Sequence, residues 1–270
     1  MPTTPLSGPM CTRESLASGL RGIGLRAGDT VLAHSSLSSL GWVCGGPATV
    51  VRALLDVLGD DGTLVVPTQT GDNSDPALWR DPPVPESWWA DIRASMPPYD
   101  ARTTPTRGVG VVPETLRTWP GAVRSAHPQT SFAAVGARAA AIVDGHAPDC
   151  RLGERSPLAR LEEAEARVLL LGAGYESCTT FHLAEYRIPA PRVENSFAMT
   201  TPQGRRWTTV RDTSITDDRF GELGAAFERE RPVLRGRVGA AEVRLFSLPD
   251  AVAFAEAWLP RHRPRPASPM

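Results

Sequence analysis

The sequence predicts an α/β fold on a mixed sheet. Three observations carry that reading. Apolar runs of strand length end in polar or glycine-rich turns, as in "DTVLAHSSL", "GTLVVPTQT" and "RVLLLG". The first two bracket "GGPATVVRALLDVLG", so strand, Gly-rich turn, helix and strand follow one another, which is the βαβ unit of a parallel sheet. Later, "MTTPQGRRWTTVRD" reads as two strands about a Pro-Gln-Gly turn, an antiparallel hairpin.

The elements follow in order. Residues 12–26, "TRESLASGLRGIGLR", read as a helix with Thr12 as N-cap. "DTVLAHSSL" is a strand whose apolar Val31, Leu32 and Ala33 lead to polar His34, Ser35 and Ser36. The helix after Gly45 and Gly46 opens at Pro47, as a first-turn proline allows. "GTLVVPTQT" is a second buried strand. Residues 71–107 then carry many prolines and three tryptophans. A segment that long and irregular is rarely kept in a compact domain without a use, so it is expected to be a binding loop or lid. "GVVPETLRTWPG" reads as a short helix opened by Pro113, and "SFAAVG" and "RVLLLG" as strands. "CTTFHLAEYR" starts a helix. After the hairpin come the helix "RFGELGAAFERER", the strand "AEVRLFSLP" and a closing helix begun by Pro249 and Asp250. The Pro- and Arg-rich tail, 261–270, is expected to fray.

At 270 residues, 41% apolar and with a net charge of -1, the chain is expected to be a soluble globular protein. A pI of about 6.5 gives no nucleic-acid footprint. There is no run of 18 apolar residues to span a membrane, and the first residues lack a basic head and apolar core, so the expected location is cytoplasmic. The four cysteines are scattered without a CxxC pair, which argues against a zinc or disulfide framework. All 29 basic residues are arginine. That excludes a P-loop lysine and a Schiff-base lysine, and leaves phosphate contacts to arginine, backbone N–H groups and helix N-termini.

Three stretches could carry chemistry. In "HSSLSSLGWVCGGP", His34, Ser35, Ser36 and Leu37 leave a strand end, where open α/β sheets bind ligands; an ordinary serine-rich connection reads the same way. In "TPTRGVGVVPE", Gly108, Val109, Gly110 and Val111 allow a ligand close to the backbone, with Arg102 and Arg107 nearby for phosphates. A third glycine is missing, so a dinucleotide fingerprint is not met. In "TTFHLAEYR", His182 and Glu185 share a helical face three residues apart, with Thr179 and Thr180 before them. The pair reads as a general base with its orienting carboxylate, as two metal ligands short of a third, or as a capped helix with a buried histidine. Acidic residues recur in the loops: Asp72, Asp75, Glu86, Glu114, Asp217, Asp218 and Glu222. If they line one cleft, with Trp79 beside them, they suit a polycationic ligand.

Six blocks in order, "HSSLSSLGWVCGG", "WRDPPVPESWW…IR…MPPYD…TPTRGVGVVPE", "RSAHPQTSFAAVG", "LGERSPLARL", "VLLLGAGYESCTTFHLAEYR" and "FGELGAAFE", resemble the aminoglycoside 3-N-acetyltransferases of the antibiotic N-acetyltransferase family. They run from about residue 30 to residue 230. The resemblance implies one domain over 1–270: a three-layer α/β/α sandwich distinct from the GNAT fold. Residues 71–107 would be an insertion at the substrate cleft. It also implies acetyl transfer from acetyl-CoA, as co-substrate and without a metal, to the 3-amino group of a 2-deoxystreptamine ring, conferring resistance. The pantetheine and thioester would lie against the strand end at 34–37 and the turn at 108–111. His182 matches the histidine of a TxxHxxE pattern formed by Thr179, His182 and Glu185. It would take the proton of the attacking amine, with Glu185 holding the ring and Thr180, Ser35 and backbone N–H groups meeting the oxyanion. An acylated Cys178 is the covalent alternative. The other functions weighed are a same-family acyltransferase acting on another amine and a non-catalytic aminoglycoside-binding protein. The expected partners are small molecules only, with no nucleic acid or membrane, and the assembly a monomer or homodimer.

Overall fold

The structure is a computed structural model that describes residues 8–263. The chain enters through β1 (Met10–Cys11) and α1 (Arg13–Gly22). Thr12 and Ser15 close a capping box at the start of α1, each side chain bonded to the other's backbone. Then come β2 (Thr30–Ser35), a 3-10 turn over Leu37–Leu40, β3 (Trp42–Val43), α2 (Gly46–Leu58) and β4 (Thr63–Pro67). Two further 3-10 turns and α3 (Trp89–Ser95) fill the irregular segment. α4 (Val111–Arg117), β5 (Val123–Arg124), β6 (Phe132–Gly136), α5 (Ala139–Val143), α6 (Pro157–Glu163) and β7 (Arg167–Leu171) follow. The rest is α7 (Phe181–Arg187), β8 (Arg192–Thr201), β9 (Gly204–Thr213), α8 (Phe220–Glu230), β10 (Leu234–Val238), β11 (Ala241–Ser247) and α9 (Leu248–His262).

Seven strands form the main sheet in the order β10-β11-β7-β2-β4-β6-β5. Only the central β2 is parallel to both neighbours, β4 and β7, and the outer pairings are antiparallel. Alternation along a strand divides the core into two layers. In β2, Val31 and Ala33 pack with α1, α2 and α4, whereas Leu32 faces the layer built by α5 through α9. The same alternation puts His34 on the face of α7. Each fully buried leucine or phenylalanine contributes about 1.5–3 kcal/mol, so these two layers make the sheet a rigid frame for what stands at its edge.

The hairpin is a separate two-stranded ribbon of ten-residue strands, closed at Thr201 and Gly204. Residues 71–107 dock onto it. The Asn73 side chain both donates to and accepts from the Ala198 backbone at 2.8 Å, Tyr99 N–H donates to Ala198 O, and Arg205 reaches Met96 O. The segment is thus ordered by a scaffold of its own.

Some boundaries differ from the sequence reading. α1 stops at Gly22, because Gly24 and Gly28 take positive φ (101° and 85°) and turn the chain toward β2. α4 begins at Val111 behind Gly110, with Pro113 in its first turn. The tail was expected to fray from 261, yet Arg261 and His262 form the last turn of α9 and Arg263 is bonded to three groups. Residues 264–270 lie outside the described residues. Short β10, α5 and α6 were not separated from their surroundings in the sequence.

Candidate active site

β2, β4 and β7 end at one cleft of about 1080 Å³. Its wall combines His34 to Ser38 from the end of β2, Gly108 to Val111 at the start of α4, and Gly172 to Gly174 after β7. Cys178, Thr179 and His182 close it from the α7 side, and Asp217 stands on the loop before α8. The two stretches that the sequence put forward separately, 34–37 and 108–111, therefore face one space with His182. Gly108 and Gly110 have φ of 74° and 84°, a region L side chains avoid, and a Cβ at Gly108 would meet nothing within 4 Å. The turn is shaped by backbone alone and leaves open room in front of it.

His182 is positioned by its own helix. Its Nδ1–H donates to Glu185 Oε2 at 2.5 Å, one turn further along α7. Nε2 has no protein partner among the described residues, and the ring lies on the cleft wall. Glu185 is 2% exposed. A buried carboxylate needs partners, and its other oxygen accepts from Thr216 N–H at 3.1 Å and from the Arg263 guanidinium. Such an imidazole is fixed in tautomer and orientation, with one nitrogen free to take a proton.

His34 is a different kind of group. It is buried, and burial, aided by the nearby His182, pushes it down to about 4, so it is neutral at physiological pH. Its Nε2 lies 3.4 Å from Thr179 Oγ1. The wall carries Thr179, while the Thr180 side chain is fully buried with an unpartnered hydroxyl, away from the cleft surface. The hydroxyl beside His182 is therefore Thr179, one residue before the Thr180 named from sequence. α7 starts at Phe181, and at its first turn adjacent residues point in different directions. Cys178 is also fully buried; burial pushes its thiol up to about 12, and no base is aimed at it. That removes the basis for an acylated Cys178.

The remaining sequence candidates fall elsewhere. Arg107 pairs with Asp72 at 3.1 Å on the surface, and Arg102 is exposed; neither lies on the wall. Asp75 caps a 3-10 turn and pairs with Arg93 at 2.7 Å. Trp79 donates from Nε1 to Ser74 Oγ, and Glu86 is exposed. Glu222 pairs with Arg219 at 2.5 Å, while Asp218 offers its carbonyl to Arg263. Glu114 pairs with Arg117 at 2.5 Å, and of the eight substrate candidates named from sequence, only Asp217 is on the wall. Glu176 joins it there, one turn before α7, and among the described residues no arginine lines the cleft. No described residue of the 71–107 segment lines the wall; only Gln69 and Gly108, which flank it, do. Among the described residues no cluster of three or more His, Cys, Asp or Glu is arranged to hold a metal ion, and no helix is long and apolar enough to cross a membrane.

The family described as aminoglycoside 3-N-acetyltransferase matches residues 32–260, which span this whole arrangement. The chain belongs to that family. Among its relatives is the SPbeta prophage-derived aminoglycoside N(3')-acetyltransferase-like protein YokD of Bacillus subtilis, 47% identical over 92% of each chain. The crystal structure of YokD superposes with a TM-score of 0.92, covering 94% of both chains. Aminoglycoside N(3)-acetyltransferase VIII of Streptomyces fradiae is 40% identical over 93% of this chain and 92% of its own. A structure of AAC-IIIb in a binary complex with CoASH is 31% identical, with a TM-score of 0.84 over 96% of this chain and all of that one. The three-layer α/β fold on a mixed sheet is shared with both of these solved structures.

Proposed function

We propose that this member of the family transfers the acetyl group of acetyl-CoA to the 3-amino group of the 2-deoxystreptamine ring of an aminoglycoside, conferring resistance. The observation that carries the proposal is His182, held at Nδ1 by Glu185 and open at Nε2 on a cleft whose only carboxylates, among the described residues, are Glu176 and Asp217. The cleft has the volume and the bare backbone turn that an extended thioester substrate needs. Ser35, with a buried and unpartnered hydroxyl, and the glycines at 108 and 110 stand at that end. With no arginine on the wall, the co-substrate's phosphates would be met by backbone N–H groups and serine hydroxyls at its mouth.

The chemistry follows from these groups. The substrate's ammonium loses one proton to solvent, and the free amine attacks the thioester carbonyl, forming the C–N bond. His182 Nε2 takes the second proton from that nitrogen, with Glu185 stabilising the imidazolium. The C–S bond breaks, and the imidazolium returns the proton to the departing sulfur. Thr179 and backbone N–H groups face the developing oxyanion; one such donor contributes about 3 kcal/mol in comparable sites. Glu176 and Asp217 attract the other ammonium groups of a polycationic substrate. The 71–107 segment would serve as the outer wall for that substrate, a role supported by the residues that flank it, Gln69 and Gly108, on the cleft wall. We place the reaction in the cytoplasm, where acetyl-CoA is made.

One observation favours a second reading. YokD, 47% identical, is described only as acetyltransferase-like, so a different primary amine as acceptor is the alternative. Free-thiol release from acetyl-CoA decides between them. Release on adding gentamicin- or neomycin-class drugs, with a product heavier by one acetyl group, is the expected result. Release with simpler amines only would favour the alternative, and no release with any amine would overturn both.

A further inference from the structure

The end of α9 supplies a group that bonds the dyad's carboxylate. Arg263 is the residue after the last turn of α9 and lies beyond residue 260, where the family match ends. Its guanidinium points back into the protein and is 17% exposed. One nitrogen, Nη1, donates to Glu185 Oε1. The other, Nη2, donates to the carbonyls of Thr216 and Asp218 at 2.7 and 3.0 Å. The guanidinium also lies 5.5 Å over the Phe220 ring, which packs 4.8 Å from the His182 ring. A single rigid fork thus spans two components of the site. One is the carboxylate that orients the base. The other is the two-carbonyl staple on either side of Asp217, the acid on the cleft wall.

We propose that Arg263 is a positioning residue that sets the His182–Glu185 dyad and the Asp217 loop in register with each other; the inference rests on the acetyl-transfer reading above. Arginine is suited to this by its planar fork. A lysine is a point charge that satisfies one partner at a time. The guanidinium also bears on the dyad's charge. A cation beside Glu185 disfavours the form in which His182 carries its proton, so its removal favours proton uptake. Among the described residues, the other titratable groups on the wall beside the ring are His34 from β2, Cys178 and Glu176 before α7 and Asp217 before α8. Glu222 of α8 is held by Arg219, Glu256 of α9 by Arg187, and His262 of α9 bonds Trp258 O. None of them bonds Glu185.

The test compares Arg263→Gln and Arg263→Lys with wild type in the full-length enzyme, after confirming that each variant melts cooperatively. For Arg263→Gln we expect kcat to fall roughly tenfold from misplacement of the base. The KM for the polycationic substrate should rise while that for acetyl-CoA stays level. The acid limb of the kcat/KM profile should move to higher pH. Arg263→Lys should restore the acid limb but not the substrate KM, because the charge returns without the fork. A substrate-free readout separates failure of this inference from failure of the acetyl-transfer reading. The short Nδ1–H bond to Glu185 should give a downfield proton resonance in wild type that shifts or broadens in Arg263→Gln. A cooperatively folded Arg263→Gln protein with unchanged resonance, pH limb and substrate KM would overturn the inference. So would an Arg263→Lys variant indistinguishable from Arg263→Gln in its pH profile.

Discussion

His182 and the His127–His146 pair sit on the same side of the sheet and are held in opposite ways. His182 has a carboxylate on Nδ1 and an unpartnered Nε2 on a cleft. His127 and His146 are sealed inside, with ring centroids 4.7 Å apart. His146 accepts from Ser125 Oγ at one nitrogen and donates to Arg151 O at the other, both at 2.9 Å. His127 Nδ1 accepts from the backbone N–H groups of Gln129 and Thr130. Every one of these partners is neutral. Burial pushes His146 down to about 4 and His127 well below its ordinary value. The difference shows what would equip an imidazole to act as a base here. It is a carboxylate to stabilise the charged ring together with a nitrogen left open, and the family of residue does not decide it.

The largest effect that would break this comparison is at His182. General-base catalysis contributes about 10²–10⁴-fold, so His182→Ala should lower kcat by that factor with acetyl-CoA affinity nearly unchanged. Glu185→Gln should cost less, since the amide still reaches the ring but no longer stabilises its charge. Steady-state kinetics with direct titration of acetyl-CoA binding checks both. A His182→Ala enzyme with near wild-type kcat would return the assignment to His34 or to a cleft carboxylate.

The second effect belongs to the sealed pair and should appear in stability with chemistry untouched. His146→Ala removes a packed ring and the acceptor of the buried Ser125 hydroxyl, which costs about 2–4 kcal/mol; Arg151 O keeps its bond from Thr130 Oγ1. A drop in Tm of roughly 5–15 °C follows for a chain of this size, with kcat preserved. The pH dependence follows from the same burial. His34, His127 and His146 all have depressed values in the folded state. Between their ordinary 6.5 and about 4 the unfolded chain binds more protons than the folded one, so stability rises with pH across that window. It is fully present above about pH 6.5 and is lost as pH falls toward 4. Thermal melts from pH 4 to 8 should show Tm climbing and then levelling near neutrality. A Tm that held flat down to pH 4 would mean that these rings are protonated inside the fold.

The contrast was only partly legible in the sequence. Spacing placed His182 and Glu185 on one helical face, and the strand ends and glycine turn gave two further pieces of the wall. What spacing does not encode is where chain segments meet. Asp75 reads as a cleft acid because it is an acid in a loop, yet it is neutralised by Arg93, whose position only the fold supplies. Glu222 is neutralised by Arg219, three residues before it at the start of α8. Thr180 and Thr179 are equivalent in sequence, and the start of α7 decides which one faces the cleft. Arg263 was hidden by composition: a Pro- and Arg-rich end reads as solvated, and its buried carboxylate partner lies 78 residues away. A mixed sheet was legible, but which strands run antiparallel was not: β11 returns beside β7 and β6 beside β4.

The smallest effect sharpens the comparison at the cleft mouth. Asp217 is exposed, so its attraction for a substrate ammonium is screened by water and salt. Exposed ion pairs contribute about 0.2–1 kcal/mol, and Asp217→Asn should therefore raise the KM for a polycationic substrate by roughly two- to fivefold. The kcat should stay near wild type, because the amide leaves the loop carbonyls at 216 and 218 free to hold Arg263. The wild-type KM should itself rise with ionic strength, and the variant's slope should be shallower by the share that one charge contributes. Asp72→Asn, which removes a carboxylate already paired with Arg107 and absent from the wall, serves as the matched control and should leave both KM and slope unchanged. If the two variants behaved alike, substrate attraction would be a property of the protein's overall field, and the cleft carboxylates would have no special part in it.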